Sequence, residues 1–176
     1  IVSKYTGVDI FEASLPEMEK ALNKLKIDYD KKGFNKTRAI DNLLKCCRKN
    51  LSGPGFLINT PIDISPLAKR NEKNPNIAQR FQVILAGSEV GNGYSELNNP
   101  IDQAERLKEQ QKLRNKGDQE AQMYDKDFVE ALEHGMPPTC GFGVSERLFS
   151  FLMDKPGRDC QIFPLMKPQR PTSNNL

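Results

Sequence analysis

The stretch Gly87-Ser-Glu-Val-Gly-Asn-Gly-Tyr-Ser-Glu-Leu-Asn-Asn99 decides how this chain is interpreted. It places two carboxylates, an amide and an aromatic ring around backbone-permissive glycines. Directly before it, residues 79–86 form an apolar run that predicts a strongly buried strand. The two segments together predict strands of a sheet that carries a polar binding surface.

Parity along the second strand predicts which side chains share a face. Side chains alternate with a period of two, so one face carries Asn92, Tyr94 and Glu96. Glu89 has the opposite parity. It joins the same face only if the chain turns or bulges, and Gly91-Asn-Gly93 is suited to that.

The shared face suits two kinds of ligand. For a ligand with an ammonium group, Glu96 pairs the charge, Tyr94 packs on an alkyl chain and Asn92 fixes a polar end. Two carboxylates from adjacent strands would instead hold magnesium that bridges phosphate oxygens. An ordinary Asn-Gly hairpin with solvated acids explains this run equally well.

A second signal is the run Gly141-Phe-Gly-Val-Ser-Glu-Arg147. Its two glycines leave room for a flat ligand against the backbone, and Ser145 is suited to cap the helix that follows. A cation such as Arg147 in a first helical turn opposes the helix dipole, which favours a facing anion such as a triphosphate. The alternative is a surface arginine paired with Glu146 or Asp154.

The rest of the chain predicts a mixed α+β domain on a mainly antiparallel sheet. Helices are predicted over residues 14–26, 35–50, 100–116, 124–135 and 145–153, with short strands at 56–59 and 161–164. The caps are expected at Ser14 and Asp125, with Gly135 as a helix terminator.

Size and composition exclude few function classes. A chain of 176 residues fits one domain, and a net charge of +3 neither demands nor excludes nucleic acid. No window approaches eighteen apolar residues, so no membrane span is expected. Four cysteines without Cys-x-x-Cys spacing and one histidine make a structural zinc site improbable.

The chain resembles class II lysyl-tRNA synthetases in six segments that occur in the family's order from about Asn50 to Pro168. These segments are residues 64–70, 87–98, 117–121, 131–139, 141–147 (motif 3) and 162–168. The resemblance implies an α+β class II synthetase sheet flanked by helices, as a partial catalytic domain over residues 1–168. Residues 169–176 would form a polar tail that frays.

The resemblance also implies a site for ATP and its metal. Glu89 and Glu96 match the acidic pair that holds Mg2+ with ATP. Val90 matches an ATP-binding position, and Arg147 matches the motif 3 arginine that contacts the phosphates.

The implied lysine site lies on the same strands. Asn92, Tyr94 and Gly143 match lysine-binding positions, with Tyr94 in place of an aromatic that is often Phe. Glu96 matches the residue that faces the lysine ε-ammonium, and with Arg147 it is the implied catalytic residue.

Such enzymes are cytoplasmic homodimers that join lysine to ATP as lysyl-adenylate and then transfer the lysyl group to tRNA(Lys). Two departures from the family pattern stand out. Motif 3 is one residue shorter, with Ser145 near its third glycine. Motifs 1 and 2 and the anticodon-binding domain would lie upstream of Ile1, so the chain alone is expected to be an inactive fragment.

Two alternatives to a synthetase stay open. One is a paralogue that lysylates a translation factor; such proteins tend to carry Ala and His where Gly91 and Ser95 stand here. The other is a non-catalytic interaction module that retains the synthetase sheet. Intact charges at Glu89, Glu96 and Arg147 argue against that module.

Overall fold

The computed structural model describes residues 1–165, which divide after Gly143 into two compact units. Secondary structure follows the order α1 (Val2–Thr6), α2 (Leu15–Lys24), α3 (Lys36–Arg48), β1 (Gly55–Leu57), β2 (Arg80–Leu85), β3 (Ser88–Ser95), α4 (Pro100–Asn115), α5 (Lys126–Glu133), β4 (Cys140–Val144) and α6 (Glu146–Met153). Short 3₁₀ turns cover Ile62–Ile64 and Gly157–Cys160. All five predicted helices are present, which confirms the α+β class. The polar tail predicted over residues 169–176 lies outside the described part.

The four strands form one sheet in the order β1-β2-β3-β4. β1 pairs antiparallel with β2, and β2 pairs antiparallel with β3. The turn between β2 and β3 consists of Ala86 and Gly87, whose φ values are 48° and 74°. Two consecutive positive φ values are typical of the type I′ turn, which matches the twist of a two-stranded hairpin. The hairpin turn therefore lies before the polar stretch and not at Asn92-Gly93.

Two predictions about strands are wrong. Residues 79–86 do contain a strand, but Ile84 is the one residue of β2 that is buried, so β2 is half-exposed. Residues 161–164 form no strand. Both were inferred from short apolar runs, which do not distinguish a core strand from a half-covered one.

The core of the first unit is a helical cluster next to the sheet. Met18 and Leu22 of α2 and Ile40 and Leu43 of α3 are completely buried against one another. α2 begins with a capping box in which the backbone N–H of Ser14 donates to the Glu17 carboxylate over 2.8 Å. The packed apolar faces hold α3 in place, and the last residue of α3 is Arg48, which bonds Glu89.

Asp118 docks the segment that follows α4 onto the start of α3. Its carboxylate is 4% exposed, accepts a 2.8 Å hydrogen bond from the Asn35 side chain and lies 3.1 Å from Nε of Arg38. The backbones meet so closely that a Cβ on Gly33 would lie 2.3 Å from Gly117. This contact gives a structural reason for the segment 117–121 singled out in the sequence.

Arg106 of α4 holds the loop beside the end of β3. Its guanidinium donates twice to Asp102, over 2.8 and 2.7 Å, and once to the carbonyl oxygen of Ala68 over 2.6 Å. Ala68 in turn forms an isolated antiparallel bridge with Glu96. The pair therefore fixes the backbone on which Glu96 is presented. No helix among residues 1–165 is long and apolar enough to cross a membrane.

We expect Asp102→Asn to destabilise the protein by roughly 1–3 kcal/mol at pH 7, because the buried Arg106 loses its charged partner. The hydrogen bond from Arg106 lowers the pKa of Asp102 below its usual value, opposed by burial and aided by Arg70. A lowered carboxyl pKa adds stability that is lost as pH falls below about 4. Urea unfolding should therefore show the difference between wild type and variant shrinking from pH 6 to pH 3. A pH-independent difference, or one no larger than that of the exposed control Asp28→Asn, would contradict this role.

Candidate functional site

A β-bulge at Val90 brings Glu89 onto the same face as the other predicted site residues. In the ladder between β2 and β3, Val83 lies opposite Gly91 but Ile84 lies opposite Glu89, so Val90 is the extra residue. One additional residue reverses the alternation of side chains. The prediction that the chain must bulge is confirmed, and the bulge lies just before the glycines.

The polar face of the hairpin consists of alternating residues from both strands. The register places Tyr94 opposite Arg80 and Asn92 opposite Gln82, with Glu89 at the far end of the row. Glu96 continues the row just beyond the end of β3. All four predicted residues of β3 and its end are half-buried, so they remain accessible to a ligand.

Glu89 is held by two donors from other elements. Nη1 of Arg48, at the end of α3, donates to Oε2 of Glu89 over 2.8 Å. Nε2 of Gln82 donates to the same oxygen over 2.6 Å. The second oxygen, Oε1, accepts no hydrogen bond from the described residues. One end of the face is thus an ordered carboxylate with one oxygen available.

Asn92 is oriented by Arg80. Nε of Arg80 donates to Oδ1 of Asn92 over 2.9 Å, and Nη1 donates to the carbonyl of Ile64 and the hydroxyl of Ser65, both over 3.1 Å. Burial lowers the pKa of Arg80, against the opposing effect of Glu89 and other neighbouring groups. Because the amide oxygen is occupied, Asn92 presents its Nδ2 as a donor.

Tyr94 and Glu96 form the other end of the face. Burial first, and the Glu96 carboxylate second, raise the pKa of the Tyr94 hydroxyl, so the ring stays neutral at physiological pH. The backbone N–H of Glu96 donates to the carbonyl of Thr139 over 2.9 Å. A Cβ on Gly141 would lie 3.2 Å from Oε1 of Glu96, so this glycine leaves space beside the carboxylate.

The opposite face explains the glycines of the polar stretch. A Cβ on Gly93 would lie 2.8 Å from the Phe81 ring, and one on Gly91 would lie 3.0 Å from the Phe142 ring. Phe81 and Phe142 stack with their centroids 5.6 Å apart. The glycines therefore admit an aromatic layer, and the interpretation as an Asn-Gly hairpin with solvated acids is wrong.

Glu89 lies near the start of β3, and Glu96 follows the residue that ends the strand. The bulge brings Glu89 to the face that carries Asn92 and Tyr94. The sharing of one Mg2+ by Glu89 and Glu96 stays a prediction.

The described residues hold no cluster of three or more His, Cys, Asp or Glu that could bind a metal ion. A cation at Glu89 would therefore take most of its ligands from water or from a phosphorylated ligand, as Mg2+ commonly does. The free Oε1 of Glu89 is a hard oxygen donor, so this end of the face fits such an ion.

Arg147 belongs to the second unit, where it follows the N-cap of α6. Oγ of Ser145 accepts a hydrogen bond from the backbone N–H of Arg147 over 3.3 Å, which confirms the predicted cap. The side chain is exposed, and within the described part of this unit it forms no ion pair with Glu146 or Asp154. Glu146 instead bonds the side chain of Gln161. The alternative of a locally paired arginine is therefore wrong.

The remaining predicted positions are backbone features. Val90 is 4% exposed, so it would meet a ligand through its backbone, which the bulge removes from the regular ladder. Gly143 ends the first unit, and a Cβ there would lie 3.9 Å from the carbonyl oxygen of Asn92. Gly143 therefore lies beside the polar row.

Three side chains that contact the predicted site residues were not predicted from the sequence: Arg48, Arg80 and Gln82. Arg80 and Gln82 alternate along β2 opposite Tyr94 and Asn92. This alternation of two polar residues within an apolar strand was visible in the sequence. Arg48 lies at the end of a helix, 41 residues before Glu89, and no local pattern links the two.

A cavity of about 760 Å3 is lined by residues of α4, among them Asp102, and by none of the predicted site residues.

The family model and the individual relatives that match this chain are all tRNA synthetases. The family model for tRNA synthetases class II (D, K and N) matches residues 8–167. A lysine–tRNA ligase of Thermotoga maritima is 45% identical over 166 residues, which cover 93% of this chain and 33% of the relative. A lysine–tRNA ligase of Fervidobacterium nodosum is 44% identical over 172 residues, or 96% of this chain and 33% of the relative.

A third relative matches more strongly over a shorter span. The lysine–tRNA ligase of Helicobacter hepaticus is 52% identical over 122 residues, which cover 68% of this chain and 24% of the relative. The chain thus spans about a third or less of the length of these relatives.

We expect Gly93→Ala to destabilise the protein by about 1–3 kcal/mol, because the new methyl group overlaps the Phe81 ring. Gly55→Ala in β1 is the matched control, since a Cβ there meets nothing within 4 Å. Chemical denaturation of both variants measures the difference. Equal stabilities would show that the aromatic layer does not require a glycine at position 93.

Proposed function

The chain belongs to the class II tRNA synthetases of the D, K and N group, and from this membership we propose that it is the C-terminal part of a lysine–tRNA ligase catalytic domain. Its reaction joins lysine to ATP as lysyl-adenylate with release of pyrophosphate, and then transfers the lysyl group to tRNA(Lys). The observation that carries the proposal is the polar row on one sheet face, which the Val90 bulge completes.

The lysine end of the row is Glu96 with Tyr94 and Asn92. A half-buried carboxylate pairs with the ε-ammonium of lysine more strongly than an exposed one would. The neutral Tyr94 ring packs along the alkyl chain. Nδ2 of Asn92, fixed by Arg80, donates to an oxygen of the amino acid. Gly143 leaves no side chain at its position beside the Asn92 backbone.

The ATP end of the row is Glu89 with Val90, and from the family resemblance we assign Arg147 to the phosphates of the same substrate. A magnesium ion bound with ATP would neutralise phosphate charge, and Glu89 would hold it through Oε1. The backbone at Val90 is available to the nucleotide, since it stands outside the ladder. Arg147 supplies a guanidinium for the phosphates, consistent with its exposure.

These residues act by position and charge. In the first step a carboxylate oxygen of lysine forms a bond to the α-phosphorus, and the bond from that phosphorus to pyrophosphate breaks. The attacking carboxylate is already ionised at neutral pH, so no protein group has to remove a proton. The reaction is accelerated because the protein aligns the two substrates and neutralises the phosphate charge.

The finer family properties are part of the same proposal. The relatives are lysine–tRNA ligases, which supports tRNA(Lys) as the second substrate. A cytoplasmic homodimer as the complete enzyme is proposed from the family resemblance alone. The translation-factor paralogue is less consistent with the packing. Its usual alanine would replace Gly91, where a Cβ would lie within 3.0 Å of Phe142.

We expect Glu96→Gln to weaken binding of a non-hydrolysable lysyl-adenylate analogue by about tenfold to a hundredfold, because a charge-assisted hydrogen bond becomes neutral. Isothermal titration calorimetry of the chain measures the affinity. The exposed Glu133→Gln on α5 is the control for a lost carboxylate. Unchanged affinity in Glu96→Gln, or equal losses in both variants, would overturn the lysine site.

We also expect these 176 residues alone to show no lysine-dependent exchange of pyrophosphate into ATP. The chain spans about a third of the length of its relatives, and motif 2 with its ATP-contacting arginine is expected outside it. Radiolabelled pyrophosphate exchange measures this step without tRNA. Robust exchange by the chain would contradict its status as an incomplete catalytic unit.

A further inference from the structure

The pairing of Glu89 with Arg48 places a protein cation beside the carboxylate oxygen at which the proposed metal ion would bind. Nη1 of Arg48 lies 2.8 Å from Oε2 of Glu89, and the two side chains are 19% and 27% exposed. Partial burial weakens the screening that makes surface ion pairs negligible. In the ligand-free protein, Glu89 therefore already has a counter-charge.

The contact is a single hydrogen bond and not a two-bonded arginine fork. One guanidinium nitrogen donates to one oxygen of Glu89, and Gln82 occupies the same oxygen. Nε of Arg48 is buried and has no hydrogen-bond partner among the described residues. Among the described residues, the Glu89 carboxylate is therefore the group that balances the charge of Arg48.

Both partners are presented by ordered elements. Arg48 ends α3, which is anchored at its other end by the contacts of Asn35 and Arg38 with Asp118. Glu89 is fixed by the bulge and by Gln82. The cation and the carboxylate consequently face each other before any ligand arrives.

A second arginine adds to this effect. Arg80 interacts electrostatically with Glu89. A free divalent cation that approaches Oε1 of Glu89 therefore meets the positive charges of both Arg48 and Arg80.

We propose that Arg48 competes with divalent cations for Glu89, so that this site binds free metal weakly and accepts it together with the negative charge of a nucleotide. The proposal rests on the proposed metal role of Glu89. It assigns Arg48 a positioning role that sets metal affinity. Like charges a few ångströms apart in a partly buried site repel strongly enough to lower affinity on the order of tenfold.

The test is a titration of the chain with Mn2+, without and with ATP. The concentration of free Mn2+ is measured by electron paramagnetic resonance. Arg48→Gln should bind Mn2+ without ATP about tenfold more tightly than wild type. Arg48→Lys retains the charge and should bind as weakly as wild type. Lys45→Gln removes a cation from the same helix at an exposed pair and is the matched control.

The outcomes separate this inference from the proposed function. Equal or weaker Mn2+ binding by Arg48→Gln, or equal tightening by Lys45→Gln, would overturn the competition. A double variant with Glu89→Gln and Arg48→Gln should lack the tighter Mn2+ binding that Arg48→Gln alone shows. If Glu89→Gln alone leaves binding of Mn2+ with ATP unchanged, the metal role of Glu89 fails instead. Thermal unfolding checks each fold, and Arg48→Met, which retains the apolar stem, replaces Arg48→Gln if that variant is unfolded.

Discussion

One extra residue in β3 is the constraint on which the site depends. Without the bulge at Val90, strict alternation would turn Glu89 toward the aromatic face, away from Gln82. With the bulge, the Glu89 carboxylate and the Asn92 amide lie on the same face of the sheet, although their sequence positions differ in parity. The bulge also releases a backbone segment from the ladder next to Glu89. A local irregularity thus produces the shared face and leaves the Val90 backbone open for the nucleotide of the proposed reaction.

The two faces of the hairpin make opposite demands on the same strand. On one face, Asn92 and Tyr94 need room for a ligand and polar partners from β2. On the other, Gly91 and Gly93 admit the stacked rings of Phe81 and Phe142, which approach within about 3 Å of where a Cβ would lie. Alternating glycine with functional residues satisfies both demands. This packing is a physical reason for the Gly-x-Gly spacing, independent of turn formation.

Much of this arrangement could be predicted from the sequence. Period-two alternation placed Asn92, Tyr94 and Glu96 on one face, and parity alone required a bulge before Glu89 could join them. The position of the bulge was not encoded locally, because it depends on how Ile84 and Val83 register with the partner strand. The sharing of one ion by Glu89 and Glu96 stays a prediction, because motif spacing carries no distance information. Arg48 was missed because its contact with Glu89 depends on the packing of α3, which no local pattern reports.

The charges of the site are paired before any ligand is present, and this shapes how it can work. Glu89 is balanced by Arg48, and Asn92 is oriented by the buried Arg80. Paired groups need little reorganisation of neighbouring dipoles, which is the condition for strong electrostatic stabilisation. They also disfavour a free cation at the remaining oxygen of Glu89, because Arg48 repels it. In the proposed function, a ligand that brings both a cation and phosphate anions offers a partner to each member of the Arg48–Glu89 pair. The pairing would then favour a metal-bound nucleotide over either component.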